Sequence, residues 1–118
     1  MRPIKIAVSA GYEQTIRCDR EIVPFDQADL MEVSAVVLSG KDIQAGKLDR
    51  IRDLHLNLPV FAVSEPDVAL PTEALYGVLD TNPSNRDFYG RQVDQAAKKY
   101  ETQMLPPFFG SLVDYVQA

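Results

Sequence analysis

The sequence has one cysteine, Cys18, and one histidine, His55, among its 118 residues. A single cysteine excludes an internal disulfide and a cysteine-rich metal site, and a single histidine cannot build a histidine-based zinc site. Basic residues are outnumbered, with 12 Lys and Arg against 17 Asp and Glu for a net charge of −5. That balance argues against a nucleic-acid surface, which needs clustered Lys and Arg. No apolar run approaches the roughly 18 residues of a membrane span, and the amino terminus lacks the apolar stretch of a secretory signal. The expected setting is the cytoplasm, with neither nucleic acid nor membrane as partner. What remains is a composition near the globular average, 46% hydrophobic and 25% charged, in a length that suits one domain with a real core.

Three runs are apolar without alternation: Ile4–Ser9, Val33–Ser39 and Pro59–Ser64. Strands buried on both faces read this way, as in a parallel sheet covered by helices. Glu21–Phe25 reads as a further strand, which Pro24 assigns to an edge because proline removes a ladder donor. Tyr76–Asp80 is a short last strand, with Gly77 suiting the other edge. Tyr12–Arg17 allows little more than one and a half helical turns, and Asp26–Glu32 a loop or a single turn. Ser39-Gly40-Lys41-Asp42 is expected to turn, followed by a helix over Lys47–Leu54 with Leu48, Ile51 and Leu54 on one face. Thr72–Leu75 allows one more helical turn. Ser84 is the expected N-cap of the longest helix, along which Tyr89, Val93, Ala96 or Ala97, Tyr100 and Met104 form one apolar stripe. Pro106-Pro107 stops it. Right-handed crossovers then give a five-stranded parallel sheet of order 2-1-3-4-5, a flavodoxin-like or receiver-like three-layer α/β sandwich with short crossovers and a long final helix.

That order makes a phosphoacceptor receiver the first functional candidate. A receiver needs paired acids after the first strand and an Asp at the end of the third, whereas the strand ends here are Ser9-Ala10, Ser39, Ser64 and Asp80. Without the acids there is no pocket of hard oxygen ligands for Mg²⁺ and no carboxylate to phosphorylate. The stretch Gly40–Leu48 is a near miss to a P-loop: it has five residues between its glycines where four are needed, and Leu48 where a hydroxyl should bind magnesium. The loop after the first strand, Ser9-Ala10-Gly11-Tyr12, lacks the G-x-G-x-x-G of dinucleotide binding. Cys18 lies beside Arg17 and Arg20, which could lower its pKa, although a lone cysteine has no catalytic partner. His55 lies in a charged segment where a solvated role is expected, and Asp49 and Asp53 are helix-surface charges spaced four apart. No catalytic, cofactor-binding or metal residue emerges.

The most informative stretch is the carboxyl-terminal one: Asn85-Arg86-Asp87-Phe88-Tyr89-Gly90-Arg91-Gln92, then Tyr100-Glu101, Leu105-Pro106-Pro107-Phe108-Phe109, Leu112, Tyr115 and Val116. It resembles the amino-terminal region of the large bacterial ornithine, lysine and arginine decarboxylases that use pyridoxal phosphate, and most of all the ornithine decarboxylases. Ile4–Ser9, Val36–Ser39, Gly46-Lys47-Leu48-Asp49 and Pro59-Val60-Phe61 fit the same pattern, so the resemblance covers nearly the whole chain and is weakest between Gly11 and Glu32.

The resemblance implies a wing domain over residues 1–105 and the start of a linker over 106–118. In the family this domain carries no cofactor. Its implied partners are other subunits of the same decarboxylase, with dimers packed into larger rings, and a nucleotide effector is a further possible partner. The cofactor-binding lysine and its motif lie far downstream, so no catalytic or cofactor residue transfers to this chain. The implied parent enzyme converts ornithine to putrescine and carbon dioxide, in polyamine biosynthesis or acid response. Ornithine rather than lysine or arginine rests on the resemblance alone. The alternative is a freestanding degenerate receiver-like regulatory module. A last expectation concerns Phe108, Phe109, Leu112, Val113, Tyr115 and Val116, whose apolar surface is expected to drive self-association as a two-fold dimer.

Overall fold

The computed structural model describes residues 5–54 and 57–104. His55, the expected break between residues 105 and 106 and the aromatic tail lie outside the described residues. Five parallel strands, β1 (Lys5–Val8), β2 (Glu21–Pro24), β3 (Val33–Ser39), β4 (Val60–Val63) and β5 (Gly77–Leu79), form one sheet of order β2-β1-β3-β4-β5. The order is the expected one, and Pro24 and Gly77 lie on the two edge strands as their backbone chemistry requires. All seven residues of β3 are buried.

The buried residues fall into two clusters, one on each face of the sheet. Ile6, Val8, Ala35, Val37, Phe61, Val63 and Leu79 meet Val93, Ala96 and Ala97 of the long helix α3 (Arg86–Met104). Ala7, Val36, Leu38 and Val60 meet Leu48 and Ile51 of α2 (Lys47–Asp53), with Ile43 of α1 (Gly40–Gln44) packed alongside. Tyr100 of α3 joins this second cluster. The result is a three-layer α/β sandwich.

One break in the strand period positions a polar contact. Pairing of β1 with β3 steps from Lys5↔Val33 to Ile6↔Ala35, which leaves Ser34 as an extra residue. Such a bulge shifts the faces on either side of it. Val33 therefore sits with Val36 and Leu38 rather than with Ala35 and Val37, and the Ser34 hydroxyl is directed to α3, where it donates to Glu101 at 2.7 Å.

Several local expectations need correction. Gly40–Asp42 does not turn but begins α1, capped by the Ser39 hydroxyl accepting from the Asp42 amide at 3.2 Å. Leu54 is 56% exposed, because α2 ends at Asp53 and Leu54 has left the helical face. Tyr12–Arg17 holds only a 3-10 turn at Glu13–Thr15. Ser84 does not cap α3: it lies inside a 3-10 turn, Pro83–Asn85, whose cap is Asn82, accepting from the Ser84 amide at 3.0 Å. That turn runs directly into α3.

Gly90 sets how closely the chain packs on α3. A Cβ at this position would lie 1.8 Å from the carbonyl oxygen of Arg17, so only glycine lets the segment before β2 lie against the helix. The Arg17 amide donates to the Arg86 carbonyl at 3.1 Å, and Arg86 Nε donates to the Gln14 carbonyl at 2.6 Å.

Candidate functional site

In an open parallel sheet the carboxyl ends of the strands are the usual place for ligands, and here side chains of the protein fill that edge. Ser9 is buried after β1, and its hydroxyl accepts from the Ser39 amide at 2.8 Å while donating to Asp42. Tyr12 donates to Glu65, whose other oxygen accepts from the Lys41 amide at 2.9 Å. The bond to Glu65, then burial, raises the Tyr12 hydroxyl above its ordinary pKa. Lys47 bridges Asp26 at 2.9 Å and Asp42 at 3.1 Å. Its bond to Asp26 leads the effects that raise its pKa, against partial desolvation.

The hydroxyls of Ser9 and Ser39 thus have structural duties. Ser39 stands where a receiver would have its phosphoacceptor, and it caps a helix. Ser64 is exposed, with its amide bonded to the Leu79 carbonyl at 2.9 Å. Asp80 accepts from the Asn82 amide at 2.9 Å, the main reason its pKa is lowered. Gly40–Leu48, the near P-loop, is wound into α1 and the start of α2, so its first amides belong to a helix rather than a phosphate cradle. Asp49 and Asp53 are exposed on α2, as expected.

The most developed polar constellation lies on the other side, in an open groove of about 930 Å³ between α3 and the segment that leads into β2. Arg20 crosses it. Its Nε donates to Asp94 at 2.5 Å, and its two terminal nitrogens grip Glu101 at 2.5 and 2.9 Å. Asp94 and Glu101 are seven residues apart on α3, two turns of helix and hence on one face. A two-pronged fork is the geometry a guanidinium offers a carboxylate. The side chains of Arg20 and Glu101 are only 13% and 5% exposed. The Glu101 bond leads the effects that raise the Arg20 pKa, outweighing burial. Burial pushes the Asp94 carboxyl up, but Arg20 and Lys98 outweigh it and hold the group below its usual range. In the sequence Arg20 stands out only as a neighbour of Cys18. The available signal was acids at 94 and 101 bordering an otherwise apolar stripe.

Cys18 lines the same groove, where its arginine neighbours do not lower its pKa on balance. The residue is half-buried, and burial pushes its thiol up, more than Arg20 lowers it. The groove's charges are largely committed to one another: Arg17 to Asp87 at 3.7 Å, Lys98 to Asp94 at 3.2 Å, and Arg20 as described. The arrangement ties an edge strand to a helix. Among the described residues no group of three or more His, Cys, Asp or Glu is placed to hold a metal ion, and no helix is long and apolar enough to cross a membrane.

The residues present do not fit pyridoxal phosphate. That cofactor requires a lysine in a pocket, with an acidic or basic partner for its ring nitrogen. Lys41, Lys98 and Lys99 are exposed. Lys5 pairs with Glu32 at 3.5 Å, and Lys47 is held between two aspartates.

The model of the Orn/Lys/Arg decarboxylase N-terminal domain matches residues 4–100. Similar curated proteins include the inducible ornithine decarboxylase of Escherichia coli strain K12, 42% identical over 98% of this chain, and the ornithine decarboxylase of Haemophilus influenzae, 38% identical over 99%. The constitutive ornithine decarboxylase of Escherichia coli strain K12 is 32% identical over 99%. The chain spans only 16% of the length of each of these relatives. Matched by that family's model over residues 4–100 and by relatives up to 42% identical over nearly its whole length, the chain belongs to the family of Orn/Lys/Arg decarboxylase N-terminal domains.

Proposed function

We propose that the chain is the non-catalytic assembly and regulatory domain of a cytoplasmic ornithine decarboxylase, an enzyme that uses pyridoxal phosphate to make putrescine. Residues 1–105 form the wing, and residues 106–118 begin the linker toward the catalytic part. The observation that carries the reading is the form of the match. Relatives named as ornithine decarboxylases align with nearly all of this chain but with 16% of their own length, so the chain corresponds to a small part of a larger enzyme. The surface lysines and the self-filled carboxyl edge are consistent with a domain whose work is contact rather than chemistry. Its partners on this reading are other subunits of the same decarboxylase, dimers joined into rings, with a nucleotide as candidate effector.

Decarboxylation needs the cofactor as electron sink, so the domain by itself is silent. The purified chain mixed with pyridoxal phosphate and L-ornithine releases no more carbon dioxide than a protein-free control. Turnover that scales with protein concentration overturns the reading.

A further inference from the structure

A second groove, of about 330 Å³, opens at the amino end of β4 beside the last turns of α3. Leu58, Ala96 and Tyr100, all buried, form its floor, and Arg52, Lys99 and Glu73, all exposed, stand round its mouth. Tyr100 is only 3% exposed, yet its hydroxyl bonds to no other described residue. A buried phenol ordinarily has a hydrogen-bond partner. No fully enclosed side-chain oxygen or nitrogen among the described residues lacks one, so the Tyr100 hydroxyl is not sealed in and reaches the groove that its ring lines. Burial raises its pKa, which keeps it protonated at neutral pH as a donor without an acceptor.

The charges at the mouth differ from those of the first groove, where the cations are spent on the acids of α3. One terminal nitrogen of Arg52 donates to the Ala74 carbonyl at 2.6 Å, which holds the guanidinium in place and leaves its other nitrogens over. Neither Arg52 nor Lys99 forms an ion pair with a described residue. Glu73 is the one acid in the lining, so the cations prevail. A phenolic donor, two uncommitted cations and an apolar floor together complement an anion with an apolar body. The volume lies at the lower end of the range of about 300–1,000 Å³ that holds drug-sized molecules, which limits the occupant to roughly ten to fifteen non-hydrogen atoms.

We propose that this groove binds a small organic carboxylate, its aromatic or branched aliphatic body on Leu58, Ala96 and the Tyr100 ring, and its carboxylate accepting from the Tyr100 hydroxyl in the field of Arg52 and Lys99. The inference is independent of the assembly reading, since it uses neither subunit contacts nor the cofactor.

Titrating phenylacetate into the isotopically labelled 118-residue chain, followed by nuclear magnetic resonance, tests it. Phenylacetamide serves as the neutral match, and acetate and inorganic phosphate as anions without the apolar body. Phenylacetate is expected to shift the Tyr100 ring and the Leu58 and Ala96 methyl signals and to saturate at concentrations of the order of millimolar, while the Val8 methyls at the opposite edge of the sheet stay in place. The other three probes bind about tenfold more weakly or not at all. Tyr100→Phe removes the unpartnered hydroxyl and keeps the ring, so it is expected to melt at or above the parent temperature and to weaken phenylacetate about tenfold. Lys99→Gln, an exposed change, weakens it about threefold. Shifts that do not saturate, phenylacetamide binding as well as phenylacetate, or acetate or phosphate doing so each overturn the proposal. Unchanged affinity in Tyr100→Phe, or a melting temperature several degrees below the parent that marks the hydroxyl as already partnered, overturns it equally.

Discussion

Gly90→Ala sets two well-known effects against each other. Alanine in a helix interior is favoured over glycine by about 1 kcal/mol, so on α3 alone the change stabilises. Against it stands the carbonyl of Arg17, whose oxygen would lie 1.8 Å and whose carbon 2.6 Å from the new methyl. An ordinary carbon–oxygen contact is about 3.3–3.6 Å, so the segment must retreat by roughly 1.5 Å. It cannot do so freely. The Arg17 amide is bonded to Arg86, Arg86 to Gln14, and Arg20, three residues on, is forked to Glu101. Overpacking costs about 1–3 kcal/mol, and main chain held at several points belongs at the upper end. After the helix gain, the net loss is about 2 kcal/mol, which lowers the melting temperature by about 8–12 °C in a domain of this size. Thermal unfolding followed by circular dichroism reads the effect, with the exposed Gln95→Ala on the same helix as control, expected within about 0.5 kcal/mol of the parent. A Gly90→Ala protein that melts at or above the parent refutes the reasoning.

Arg20→Ala leaves Glu101 buried without its guanidinium and is expected to cost about 3–5 kcal/mol, while Arg20→Lys restores only part, since an ammonium lacks the fork; urea midpoints decide, and equal midpoints for Arg20→Ala and the parent contradict it. Because the folded Asp94 pKa lies below the unfolded value of about 3.9, its stabilisation is present above that value and is lost as pH falls through the folded pKa. Asp94→Asn should therefore flatten the fall of the urea midpoint below about pH 4; an unchanged slope contradicts the assignment. Cys18, with its thiol pushed up by burial, should react with iodoacetamide at pH 7 more slowly than a free cysteine, and a faster reaction would return it to the reactive class. If Ser39 is a cap, small phosphodonors with Mg²⁺ should leave the intact mass unchanged; the gain of one phosphate would reopen the receiver alternative.

The sheet was legible because its signal is local. Unbroken β-branched and small apolar runs mark buried parallel strands, and a proline and a glycine mark the edges, so β1 to β5 fall where the sequence puts them. Ends of helices were less legible. Ser84 and Asn82 are both good caps, and the choice depends on Pro83, which starts a 3-10 turn one step earlier. Leu54 fits the helical spacing but falls outside the helix that ends before it. The Ser34 bulge and the Arg20 fork were hidden for a different reason: they join residues 67 and 81 apart in sequence, and a periodic pattern carries no information about such pairs. Cys18 shows the same limit. Its arginine neighbours are visible in sequence, while the burial that outweighs Arg20 is not.

The central claim is that this domain joins subunits rather than reacts. Sedimentation velocity on a decarboxylase that carries this sequence at its amino terminus, compared with a variant lacking residues 1–105, tests it most directly. The account predicts that the deletion reduces a multi-dimer assembly to dimers that still release carbon dioxide from ornithine, whereas an unchanged sedimentation coefficient per catalytic unit contradicts it.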